Sequence, residues 1–222
     1  MPNNKLPLRP YQQRAKEQIH TEWEQGRLRT LLVLPTGTGK TIVFAAVAED
    51  QVRAGDRVLI LAHRGELLEQ AADKLQKSTG LGCAVEKAEQ SCLASWYRVA
   101  VGSVQSLQRP QRLEKFPHNY FSTIIIDEAH RSGANSYDKI MAHFQPEFWL
   151  GMTATPERTD DKDVFKIFNH QIAYEIRLKD ALDYNLLCPF HYHGISDLKI
   201  NNDEQKDFSN FAYLTSDERV KH

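Results

Sequence analysis

Apolar residues in this chain fall into two patterns, short unbroken runs and longer stripes at helical spacing, and the two alternate for most of the length. The runs predict strands at residues 30–34, 57–62, 98–102, 121–127, 148–153, 172–176 and 190–195. Leu31-Leu32-Val33-Leu34 and Thr123-Ile124-Ile125-Ile126 are apolar without alternation, as strands covered on both faces are. Between the runs, residues 10–25 open on Pro10 and close before Gly26, and residues 40–54 close before Gly55, which predicts two helices with glycine stops. Residues 65–76 place Leu67, Leu68, Ala71 and Leu75 at helical spacing, and residues 178–187 do the same with Leu178, Ala181 and Leu182. Strands alternating with helices predict an α/β fold, a mostly parallel sheet with helices on both faces.

Composition narrows the classes. With 222 residues, 41% of them hydrophobic, the chain can bury one sizeable core and is short for two. The formal net charge of -1 excludes a polybasic surface, so any nucleic-acid contact must be local. Cys83, Cys92 and Cys188 form no C-x-x-C pair and suggest neither a disulfide framework nor a zinc site. No run approaches membrane-span length and the start lacks a signal-peptide pattern, so a cytoplasmic protein without a membrane partner is expected. After Ser196 the chain turns polar, with Asn201-Asn202-Asp203-Glu204-Gln205-Lys206-Asp207. Residues 1–196 are therefore read as one domain and 197–222 as a linker or the start of something further.

The candidate chemistry sits where strands end. Leu34-Pro35-Thr36-Gly37-Thr38-Gly39-Lys40-Thr41 follows an apolar strand and opens a helix, the setting a phosphate-binding loop requires. Glycines let backbone N–H groups converge on phosphate oxygens, and the helix adds its positive end. Lys40 suits the β- and γ-phosphates, and the Thr41 hydroxyl suits a Mg2+ ion. The strict G-x-x-x-x-G-K-T string is not met, because its first position is Leu34. Asp127 and Glu128 follow another buried strand at the edge where open α/β sheets bind ligands. Asp127 is the candidate metal holder and Glu128 the candidate base for an attacking water. His130 either links the nucleotide to a neighbouring segment or packs as a satisfied histidine.

Pro35-Thr36-Gly37-Thr38-Gly39-Lys40-Thr41, Asp127-Glu128-Ala129-His130 and Thr153-Ala154-Thr155, in that order, resemble motifs I, II and III of superfamily 2 DEAD/DEAH-type helicases. Within that superfamily the chain is similar to the helicase subunits of type I and type III restriction enzymes and their bacterial repair relatives. Leu8-Arg9-Pro10-Tyr11-Gln12, Leu61-Ala62-His63-Arg64-Gly65 and Gly151-Met152-Thr153-Ala154-Thr155-Pro156 carry that likeness. The resemblance implies a RecA-like P-loop fold, ATP and Mg2+ as ligands, and nucleic acid as partner, DNA favoured over RNA. It implies that Gln12 reads the adenine edge beside Arg9, and that Thr153 and Thr155 couple hydrolysis to domain movement. His63, Arg64, Ser103 and Gln105 stand where the family's motifs Ia and Ib touch the nucleic-acid backbone. A second RecA-like domain, in the same polypeptide or in trans, would complete such a motor, since nothing after Ser196 resembles its motifs. An intact Glu128 speaks against a regulatory module that holds ATP without hydrolysing it.

Overall fold

The structure is a computed structural model, and it describes residues 7–62, 65–131, 135–154 and 164–188. Its centre is a seven-stranded sheet in the order β3-β4-β2-β5-β6-β1-β7. The strands are β1 (Arg29–Val33), β2 (Val58–Ala62), β3 (Cys83–Glu86), β4 (Val99–Ser103), β5 (Thr123–Ile126), β6 (Phe148–Thr153) and β7 (Ile172–Glu175). Every pairing in it is parallel, so each strand points its C-terminal end to the same edge.

Alternate residues of each strand feed two separate cores. Leu32, Ile60, Val101, Ile125 and Leu150 face α1 (Pro10–Glu24), α2 (Lys40–Ala54) and α3 (Gly65–Thr79), where they meet Ile19, Phe44, Val47 and Leu75. Leu31, Leu59, Ala100, Ile124 and Trp149 face the other way, towards α4 (Val104–Leu107), α5 (Pro110–Leu113), α6 (Asn135–His143) and α7 (Val164–Ile167). Both faces of β2 and β5 are buried, which accounts for their unbroken apolar runs. Each fully buried Ile or Leu stabilises the fold by about 1.5–3 kcal/mol. Phe168 crosses the second face so closely that a Cβ at Gly151 would stand 2.4 Å from its ring.

The predicted strands and helices are present with small shifts at their ends, except that residues 190–195 lie outside the described residues. β3 and the helices α4, α5, α6 and α7 had no counterpart in the sequence pattern. β3 is a four-residue edge strand whose residues are mostly half-buried, so it shows neither a continuous apolar run nor a clean alternation. The last helix among the described residues, α8 (Leu178–Asp183), stops at Tyr184, short of the 178–187 span the periodicity suggests. No helix among the described residues is long and apolar enough to cross a membrane.

Candidate nucleotide site

The loop after β1 is built by its neighbours. Leu34 N donates to Thr153 O at 3.0 Å, which ties the loop's start to the end of β6. Gly37 and Gly39 adopt φ of 89° and 84°, and between them the Thr38 hydroxyl donates to Pro35 O at 2.7 Å. From α1, the Tyr11 hydroxyl donates to Thr38 O at 2.5 Å and Gln12 Nε2 donates to the same oxygen at 3.1 Å. Gly39 is the residue the loop can least exchange: its φ disfavours a side chain, and a Cβ there would lie 2.6 Å from Gln12 Nε2. Gly39 also caps α2, its carbonyl taking the Ile42 N–H at 2.9 Å, so that the N–H groups of Lys40 and Thr41 precede the helix's first bonded donor, where an anion can meet them.

Pro35, Thr36, Gly37, Gly39, Lys40, Thr41, Ala71, Lys74, Asp127 and Glu128 enclose a cavity of about 390 Å3. Lys40 is 9% exposed and its ammonium donates to Leu34 O at 3.1 Å. Burial pulls its pKa below the usual lysine range, and Glu128 and Asp127 partly oppose this. Asp127 sits just past β5, its N–H bonded to Leu61 O at 3.0 Å. Burial, then the charge of Glu128, raises its pKa, while the Glu128 N–H at 3.0 Å, Lys40 and Lys74 act the other way. Glu128 adopts φ of 54°, a left-handed turn that a non-glycine residue enters at a cost. This turn carries the chain straight from β5 into the short 3-10 helix Ala129–Arg131.

His130 joins the acid turn to β6. Its Nδ1 stands 3.2 Å from Glu128 Oε2 and 3.2 Å from Thr153 Oγ1. These two contacts tie the acid turn to the end of β6 and leave both readings of this histidine open.

The remaining sequence candidates divide. Gln12 is buried against the loop, its Oε1 accepting Arg9 N at 2.9 Å. One hydrogen and one lone pair of its amide lie outside these two bonds. Arg9 is exposed at the start of α1, and Thr36 is exposed on the loop. Ser103 is buried at the end of β4, whereas Gln105 is exposed on α4, so of these two Gln105 has the accessible side chain. His63, Arg64 and Thr155 lie outside the described residues. Tyr11, Ala71 and Lys74 are site residues that sequence reasoning missed. Ala71 and Lys74 are one helical turn apart on α3, a spacing that marks a shared face but names no ligand.

A parallel sheet that gathers a phosphate loop, a lysine and two acids at the C-terminal edge defines a P-loop nucleotide-binding domain. The family described as type III restriction enzyme, res subunit, matches residues 5–158, and the chain belongs to that family. The chain is 34% identical over 217 residues to the putative ATP-dependent helicase IRC3 of Saccharomyces cerevisiae, covering 89% of the chain and 31% of that protein. It is 27% identical over 191 residues to the type I restriction enzyme EcoAI endonuclease subunit of Escherichia coli, covering 82% of the chain and 23% of that protein. Among solved structures it resembles a nuclease-deletion mutant of the type ISP restriction-modification enzyme LlaGI in complex with a DNA substrate mimic. The TM-score is 0.64 at 21% identity, over 82% of this chain and 21% of that one. The chain thus spans less than a third of the length of these two relatives, and its fold is the RecA-like one of helicase cores.

Proposed function

We propose that this chain is the ATP-binding and hydrolysing half of a DNA helicase or translocase. The observation that carries the proposal is the convergence of Lys40, Asp127 and Glu128 on one cavity beside the phosphate loop. Lys40 exchanges its bond to Leu34 O for phosphate oxygens, with its charge stabilised as the phosphates enter. Asp127 and the Thr41 hydroxyl are the pair that would hold Mg2+, which when bound neutralises charge on the β- and γ-phosphates. One acid, one hydroxyl and the phosphates suffice for that ion, which suits a cavity lined by two carboxylates rather than by a ring of them. Glu128 orients the attacking water and takes its proton, while His130 holds the Glu128 carboxylate. Gln12 and Arg9 are the base-reading pair, and Thr153 and Thr155 relay the state of the site.

DNA is the polymer we assign. The support is the family, the restriction-enzyme relatives and the DNA-bound neighbour. His63, Arg64, Ser103 and Gln105 are the proposed backbone contacts, of a kind that carries no sequence information. Residues 1–196 form the domain in this reading and residues 197–222 lead towards a second RecA-like domain that supplies the rest of the pocket. The cysteines Cys83, Cys92 and Cys188 are free thiols, in keeping with the cytoplasm as the proposed compartment.

The test is ATP binding and hydrolysis by this chain and by the complete polypeptide that carries it, with single-stranded DNA, duplex DNA or RNA. Lys40→Ala should lose nucleotide binding, and Glu128→Gln should keep binding and lose turnover. DNA should stimulate the complete polypeptide more than RNA. Normal hydrolysis by Glu128→Gln would remove the base assignment, and stimulation by RNA alone would reassign the polymer.

A further inference from the structure

We infer that Lys74 of α3 binds the γ-phosphate of the nucleotide, as a second cation of the cavity that none of the sequence motifs includes. This rests on the nucleotide reading given above and adds one residue to the same site.

The helix that carries Lys74 is fixed by its own apolar stripe. Leu68, Ala71 and Leu75 of α3 are buried in the first core, so the backbone at residue 74 has little freedom to move. Ala71 and Lys74, one turn apart, share the face that closes the cavity, and the phosphate loop and the acid turn make the other walls. The Lys74 charge is felt at the Asp127 carboxyl, which puts its ammonium on the acid side of the cavity. The two sides have different tasks. The loop N–H groups, Lys40 and the start of α2 suit the β-phosphate, while the γ-phosphate has to lie beside Glu128 to meet its water. Lys74 enters on the second of these sides, from an element of its own.

The charge balance of the cavity calls for such a group. Asp127 and Glu128 meet the entering polyanion with like charge, and Lys40 alone offsets only one of them. With Lys74 the lining holds two cations and two carboxylates, so the side chains present no net repulsion to the phosphates. Lys74 is also placed to change partners. Among the described residues no carboxylate stands at ion-pair distance from it, whereas Lys77, three residues further on, pairs with Asp73 at 2.7 Å. Lys40 must leave the Leu34 carbonyl to meet phosphate; Lys74, exposed at the cavity wall, has no such bond to give up.

The experiment is the affinity of this chain, in Mg2+, for ADP and for the β,γ-imido analogue of ATP. It compares the unaltered chain with Lys74→Ala, Lys74→Arg and Lys77→Ala, the last being an exposed lysine of the same helix that controls for loss of charge. Lys74→Ala should weaken the triphosphate analogue about tenfold, the lower end for hydrogen bonds between charged groups because Lys74 is exposed, and leave ADP unchanged. Lys74→Arg should keep the preference for the analogue over ADP, and Lys77→Ala should alter neither affinity. A preference unchanged in Lys74→Ala, whether because both affinities hold or because both fall together, overturns the inference while the nucleotide reading stands. So does an equal loss of preference in Lys77→Ala. Failure of the unaltered chain to bind either nucleotide overturns both.

Discussion

Thr153 Oγ1 lies 3.2 Å from His130 Nδ1, so the end of β6 and the acid turn after β5 share a polar contact. The same threonine gives its carbonyl to Leu34 N at 3.0 Å. One residue thus touches the phosphate loop through its backbone and the acid turn through its side chain. In the proposed cycle, movement of Glu128 or of the loop would reach the end of β6 through these contacts.

Removing the hydroxyl with Thr153→Val should therefore separate hydrolysis from its stimulation. A single hydrogen bond contributes about 0.5–1.5 kcal/mol, so DNA stimulation of the complete polypeptide should fall roughly two- to tenfold. Unstimulated turnover should change less. His130→Ala removes the same contact together with the one to Glu128, so it should lose as much stimulation and lower unstimulated turnover as well, and adding Thr153→Val to it should cost no further stimulation. Steady-state ATPase assays with and without DNA measure all of this, and additive losses would show that the two residues act separately.

Asp127 makes the site sensitive to acid. Its raised pKa means that burial and Glu128 disfavour the carboxylate in the folded, empty domain. Below the ordinary aspartate range the group is neutral whether folded or unfolded, and burial costs nothing. As pH rises through the folded value, the charge appears in the cavity and the empty domain loses stability. The ligand works in the opposite sense, because only the ionised form can hold Mg2+. Nucleotide affinity in Mg2+ should fall as pH is lowered through the raised pKa, and Asp127→Asn should remove that step. The same variant should raise the melting temperature of the empty domain at neutral pH. Calorimetry across pH tests both, and a lower melting temperature for Asp127→Asn would mean that its hydrogen bonds outweigh its burial.

Gly39→Ala tests the contact between α1 and the phosphate loop. The added methyl would stand 2.6 Å from Gln12 Nε2 at a left-handed φ of 84°. Gln12 must move or the loop must shift, and strain of this kind costs about 1–3 kcal/mol. Nucleotide affinity should drop about five- to hundredfold on that scale. A smaller side chain opposite, Gln12→Ala, relieves the clash but not the backbone strain, so Gly39→Ala should cost less affinity in a Gln12→Ala background than in the unaltered chain. Titration with a fluorescent nucleotide reads the affinities, and an equal cost in both backgrounds would place all of it in the backbone.

The sequence revealed the chemistry where it is carried by local spacing and hid it where it depends on packing. The loop from Leu34 to Thr41 and the pair Asp127-Glu128 are contiguous, so their types and flanking apolar runs announced them. Lys74 and Tyr11 reach the same site from α3 and α1 by side-chain direction alone, and a lysine or tyrosine on a helix has many possible surroundings. β3 was invisible for a related reason: an edge strand of four half-buried residues is defined by its partner β4, not by its own hydrophobicity. Ser103 shows the converse, since its residue type gives no sign that the sheet buries it.

Glu86 is the charge that the edge of the sheet depends on most. It is fully buried, and Arg112, its partner at 3.1 Å, stands at ion-pair distance without the alignment of a hydrogen bond. Its other oxygen is occupied by Cys92 N. Removing one member of a buried pair leaves the other uncompensated, at about 3–5 kcal/mol. Glu86→Ala should therefore cost close to that, roughly 6–20 °C in melting temperature for a domain of this size. Glu86→Gln with Arg112→Met, which keeps volume and removes both charges, should recover most of it. Cys92 reports on the same region: burial, then the charge of Glu86, pushes its thiol up to about 12, so it should resist alkylation near neutral pH. In Glu86→Ala the thiol should become accessible to reagent at a rate that follows opening of the edge. Equal stability of Glu86→Ala and the unaltered chain, with Cys92 still protected, would show that the ion pair holds nothing in place and that β3 is fixed by its backbone pairing to β4 alone.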